Sequence, residues 1–216
     1  MAGNERDSFW TKTREHYRDK FAEHGSSPMG VDWNGSVSQE AHFAELLKLL
    51  PADPALPVSV SDLGCGYGAL AGYLAERRTL SAYHGYDINE EMIAAARDSY
   101  PDPVFSFDVT DAPLHEVDYA LASGIFTLRL ERSEEECWQS MVDGLDALHR
   151  SSRLGFAFNC LTSYSDKDKM RDYLYYADPC RIFHHCKTQY SREVALLHDY
   201  GVYAFTMIVR KPGQTT

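Results

Sequence analysis

Three glycines fall within five positions, at Gly64, Gly66 and Gly68 of "SVSDLGCGYGAL", directly after a buried-looking β-branched run. No other feature constrains the chain as tightly. A strand that ends in such a loop and continues into "ALAGYLAERR" is a β–loop–α unit. Missing Cβ atoms let the chain turn sharply there and let a ligand approach the backbone closely.

Strand and helix signals alternate from that point on. "AYHGYDI", "VFSFDV", "DYALASGIF" and "LGFAFNCL" read as further strands, and Asn89 caps the helix "EEMIAAARDSY". Ser133 and Glu136 form a capping box for a helix running to about His149, and Asp178 with Pro179 opens another. "REVALLHDY" and "YAFTMIVRK" form a hairpin around Gly201. Ahead of the glycine loop, Phe9, Thr13, Tyr17 and Phe21 sit four apart on a helix that stops at Gly25. Ser36 and Gln39 fit a capping box for the next helix, whose face is Phe43, Leu46, Leu47 and Leu50. The pattern predicts an α/β fold: a doubly wound, mainly parallel seven-stranded sheet with helices on both faces and a terminal antiparallel hairpin.

A chain of 216 residues suits one domain. We expect an N-terminal helical and lid segment at 1–57, a binding core at 58–161, a lid loop at 162–178, and a closing helix and hairpin at 179–216. The formal charge of −11 and the lack of a basic stripe argue against nucleic acid. No run approaches the ~18 apolar residues of a membrane span, and "MAGNERDSFW" lacks a signal peptide's apolar core. Five cysteines without a CxxC pair read as reduced thiols in a cytoplasmic protein. Cys180, His184, His185 and Cys186 resemble a metal cluster, but on a helix Cys186 lies roughly 240° around from Cys180. We therefore expect no metal site, with Cys186 in the core.

The spacing Gly64-x-Gly66-x-x-Ala69, with Asp87 further on, satisfies a dinucleotide fingerprint. Asp62 points elsewhere. Two residues before the first glycine it would repel a pyrophosphate and welcome an ammonium. Asp108 ends the next strand. One acid per strand end suits a ligand with an ammonium, a ribose diol and an adenine amine. A nicotinamide-dependent oxidoreductase and a non-catalytic cofactor-binding protein stay open as alternatives.

At these residues the chain resembles the class I S-adenosylmethionine-dependent methyltransferases. "DLGCGYG" (62–68), "GYDINEEMI" (85–93), "FDVTD" (107–111) and "DYALASGIF" (118–126) look like their first four motifs in order. The resemblance implies that Gly64, Gly66 and Gly68 run beside the methionine part of S-adenosylmethionine, with Asp62 near its ammonium. It implies that Asp87 accepts both ribose hydroxyls and that Ile88 and Met92 pack on the adenine. Asp108 would accept from the adenine amine beside Val109, and Ser123 would flank the sulfonium, which leaves as S-adenosylhomocysteine.

The acceptor is expected to be a small polar molecule methylated at oxygen or nitrogen. Loops at strand ends carry such specificity. Trp33, Tyr164, Tyr175 and Tyr176 are candidate pocket walls, and Asp32 reaches the same space from the N-terminal loop. His198, ending the sixth strand, is the candidate base, because a histidine titrates near neutral pH.

Overall fold

The computed structural model describes residues 2–212, with side chains from residue 9 onward. Seven strands form one sheet: β1 (Val58–Leu63), β2 (Leu80–Asp87), β3 (Phe105–Val109), β4 (Val117–Ala122), β5 (Ser152–Leu161), β6 (Glu193–Leu197) and β7 (Ala204–Arg210). Their order is β3-β2-β1-β4-β5-β7-β6. The first five strands pair in parallel, whereas β7 runs antiparallel to both β5 and β6. The chain winds outward from β1 to β3, then returns to β4 beside β1. This reversal opens a crevice at the carboxyl ends of β1 and β4.

The helices are α1 (Ala2–His24), α2 (Ser36–Leu46), α3 (Ala69–Ala75), α4 (Glu90–Ser99), α5 (Glu134–Ser151) and α6 (Pro179–Gln189). Alternation along the strands sorts side chains onto two faces. Val60, Leu121 and Ala157 pack with Phe43, Leu46, Leu74 and Ile93 of α2, α3 and α4. Ala120, Phe156 and Phe158 pack with Met141, Leu145, Ile182 and Cys186 of α5 and α6. Cys186 is fully buried while Cys180 is exposed, and no group of three metal-ligating residues forms among the described residues. No described helix is long and apolar enough to cross a membrane.

Most helix starts follow their local chemistry. Asn89 Oδ1 accepts from Met92 N at 3.0 Å, and Asp178 Oδ1 accepts from Cys180 N at 2.8 Å. Ser133 Oγ accepts from Glu136 N, whose carboxylate accepts in return from Ser133 N at 2.8 Å. The expected box at Ser36 does not form. Gly35, at φ 136°, is the cap residue, Ser36 is already helical, and buried Gln39 bonds Tyr67 instead. The expected strand "REVALLHDY" is shorter than its sequence suggests and ends at Leu197.

Replacing Ser133 with alanine should lower global stability by about 1 kcal/mol through loss of the reciprocal cap. Denaturant unfolding should show an earlier midpoint at an unchanged slope.

Candidate active-site cleft

The glycine loop is held by β2. Gly64 N and Cys65 N both donate to Tyr86 O, at 2.7 and 3.0 Å, and Gly66 N donates to Asp87 Oδ2 at 2.9 Å. Gly64 and Gly66 have φ of 76° and 54°, a region that side chains disfavour. A Cβ on Gly64 would sit 2.0 Å from Ile125 Cγ2, and one on Gly66 would sit 3.1 Å from Val31 Cγ1. Loops from two other parts of the chain thus close directly onto bare backbone. Gly68 differs. It does not line the cleft, and its Cβ position lies 2.8 Å from the Tyr100 ring, so it serves helix packing rather than ligand approach.

Asp62 and Asp87 stand at the carboxyl ends of β1 and β2, in one cavity of about 510 Å³. Asp62 is 2% exposed. Its Oδ2 accepts from Tyr83 OH at 2.6 Å, and its Oδ1 has no partner. Burial pushes its pKa up to about 7, against the opposing hydrogen bond from Tyr83. Asp87 accepts from Gly66 N through Oδ2 and from Asn89 N through Oδ1, at 2.9 Å each. Burial raises its pKa and these backbone bonds lower it. Two N–H donors leave a carboxylate with further acceptor sites on both oxygens.

Ile88 and buried Met92 form the adjoining wall, and Ser123 lines the opposite side. Asn159 on β5 fixes that side: its Nδ2 donates to Ser123 Oγ at 3.1 Å, and its Oδ1 accepts from Gly124 N at 3.0 Å. Trp33 lies over Gly124, where a Cβ would come within 3.2 Å of its ring, and meets His42 edge-on with ring centroids 4.5 Å apart.

Several residues expected at this site are elsewhere. Asp108 pairs in register with Tyr86, one step before the strand end, and its carboxylate faces Arg97 at 3.9 Å. Val109 is exposed. Thr110, Asp111 and Ala112, just past β3, line the cleft instead. His198 does follow a strand parallel to the first five, but β6 is the sheet's outer edge. Three strand spacings of ~4.8 Å separate it from β4, and the exposed imidazole rests between Tyr164 and Phe205. A base role at the cleft is therefore out of its reach.

Asp32 lies off the cavity wall, bonded to His16 Nε2 at 3.3 Å and Lys20 Nζ at 3.1 Å. These two partners hold its carboxyl below the usual range, which makes it a weak base and a latch between the N-terminal loop and α1. Tyr164 is exposed, and Tyr176 is turned away from the cleft, its hydroxyl accepting from Arg171 N. Of the three tyrosines proposed as walls, Tyr175 alone reaches the cavity, with its hydroxyl donated to Glu134 at 2.8 Å.

Sequence reasoning missed the roof. Phe9, Trp10, Thr13 and Tyr17 of α1 line the cavity, together with Phe126, Leu128 and Arg132 beyond β4. The four-residue spacing of Phe9, Thr13 and Tyr17 was visible as a helix face. What it covers was not.

Residues 60–150 match the methyltransferase-domain family. A Mycobacterium tuberculosis protein provisionally assigned as a methyltransferase is 51% identical over 156 residues, which cover 72% of this chain and 94% of that protein. Among solved structures, the magnesium protoporphyrin IX methyltransferase of Synechocystis with bound S-adenosylhomocysteine superimposes with a TM-score of 0.67 at 14% identity, over 94% of this chain and 99% of that one. The N-methyltransferase NodS of Bradyrhizobium japonicum gives 0.64 at 15% identity, over 93% and 99%. These two share the fold, including the closing antiparallel strand. Neither the nicotinamide-dependent reading nor the non-catalytic one survives the family match. The chain belongs to the S-adenosylmethionine-dependent methyltransferases.

Proposed function

We propose that this enzyme transfers the methyl group of S-adenosylmethionine to an oxygen or nitrogen of a small polar acceptor, by in-line displacement. The observation that carries this reading is the single roofed cavity in which Asp62, Asp87 and the bare glycine backbone meet. Asp62 Oδ1, buried and without a partner, is the orphaned acceptor that a ligand ammonium would satisfy. Asp87 takes the ribose hydroxyls, Ile88 and Met92 pack on the adenine, and Thr110–Ala112 close its far edge. Gly64 and Gly66 run beside the methionine chain, and Ser123 flanks the reacting centre.

The bound sulfonium supplies an electrophilic methyl carbon. The chain's share is alignment and exclusion of water. No histidine lines the described part of the cavity, and a base is needed only for an acceptor that arrives protonated. Residues 2–57 cover the 58–161 core, 162–178 pack against it and bring Tyr175 to the cavity, and 179–212 complete the sheet. Five free thiols and an acidic surface suit work in the cytoplasm on a small molecule rather than on nucleic acid.

Asp87→Ala should weaken S-adenosylhomocysteine binding by about 2–4 kcal/mol, roughly 30- to 1000-fold by calorimetry. Wild-type affinity in that variant would remove Asp87 from the ribose site.

Asp62 links stability to pH. A carboxyl whose folded pKa lies above its unfolded value binds more protons when folded, so it costs stability as pH rises from about 4 to about 7. Asp62→Asn should therefore melt higher than wild type at pH 8, with the gain vanishing near pH 4, while S-adenosylhomocysteine affinity falls. A variant that is no more stable at pH 8 would contradict the buried charge.

Hydrogen exchange should show residues 26–35 gaining protection when S-adenosylhomocysteine binds, because Val31 closes over Gly66 and Trp33 over Gly124. Unchanged exchange there would mean a fixed wall rather than a cover.

A further inference from the structure

Arg132 lines the cavity and makes no ion pair with a carboxylate of the described residues, although the Glu136 charge acts on it at longer range. Arg132 lies with its guanidinium carbon 3.4 Å from the Phe9 ring centroid. Its Nη1 donates to Ser140 Oγ at 2.6 Å and its Nη2 to Leu128 O at 2.9 Å, both neutral acceptors. Its Nε is buried with no partner.

Four glutamates surround it in sequence, in "LERSEEEC", and each makes its direct contacts with another residue. Glu131 pairs with Lys12, Glu134 accepts from Tyr175, Glu135 lies 3.6 Å from Arg181, and Glu136 closes the Ser133 cap. No carboxylate of the described residues forms an ion pair with Arg132. A half-buried guanidinium left in this state is costly to fold around unless a ligand completes it. A second orphan shares the same wall: Thr13 Oγ1, on a residue 7% exposed, has no partner either. The same cavity is lined by Phe9, Trp10, Phe126 and Leu128.

Resting on the methyl-transfer reading above, we propose that the acceptor is a small molecule with an apolar or aromatic body and a carboxylate, and that Arg132 binds this carboxylate while Thr13 bonds a neighbouring polar group. The planar guanidinium suits a carboxylate's two oxygens. A carboxylate paired in this way is a poor nucleophile, so it is the handle, and the methylated atom is another oxygen or nitrogen of the same molecule.

Calorimetry tests this on the full chain, first with S-adenosylhomocysteine alone and then with that complex titrated with paired probes: benzoate and benzamide, phenylacetate and phenylacetamide, cinnamate and cinnamamide. At least one acid should bind 10-fold or more tighter than its amide. Arg132→Gln should abolish that preference and Arg132→Lys should restore part of it, with S-adenosylhomocysteine affinity unchanged in both. Absence of an acid preference in every pair, or its persistence in Arg132→Gln, overturns the proposal. Failure to bind S-adenosylhomocysteine at all would instead overturn the methyl-transfer reading.

Discussion

The bond from Gly66 N–H to the Asp87 carboxylate is the joint on which the cleft depends. It ties the loop after β1 to the end of β2, and it fixes an acid at the place where two strand ends diverge. Tyr86 O holds the same loop through Gly64 and Cys65, so the backbone has one available path. Val31 and Ile125 can then pack where side chains would otherwise stand. With the loop fixed, Asp62 is forced inward beneath it. Tyr83 satisfies one oxygen, and the other is buried without a partner. Holding that acid unsatisfied costs stability, a cost that functional sites commonly carry.

This half of the site was readable because its chemistry is local. Glycine spacing, the acid before it and the Asn89 cap all lie within a few residues of one strand end, where sequence dictates geometry. The adenine end was misjudged by two residues. The register that pairs Asp87 with Val109 decides which part of "FDVTD" passes beyond the sheet, and register is a property of two strands together. Asp108 therefore sits a step too early and turns to Arg97, and Thr110–Ala112 take its place at the wall.

His198 failed for a different reason. The sequence placed it correctly at the end of a strand parallel to β1, but strand order is not written in any one segment. Insertion of β7 between β5 and β6 carries the histidine to the rim. Residues 162–178 show the same limit at shorter range. Their tyrosines read as pocket walls, but backbone bonds from Tyr175 N to Thr127 O and from Arg129 N to Tyr173 O tie the segment to the body. The cavity receives Tyr175 and leaves Tyr164 and Tyr176 outside.

The roof is built on different physics from the walls. Sheet and helices meet through two continuous apolar cores, whereas α1 is tied down largely by polar contacts at its surface: Arg14 to Ile88 O, Lys12 to Glu131, and His16 with Lys20 to Asp32. The Lys12–Glu131 pair is exposed, so it is weak and screened by salt, whereas the Asp32 pairs are partly buried. The strand ends are thus set in the apolar cores, while the cover above them is held by a mixture of polar and aromatic contacts. Such an asymmetry suits an enzyme whose cavity is roofed yet must exchange a cofactor, its product and an acceptor in every turnover. Arg14 adds a direct link: its bond to Ile88 O joins the roof to the residue beside Asp87.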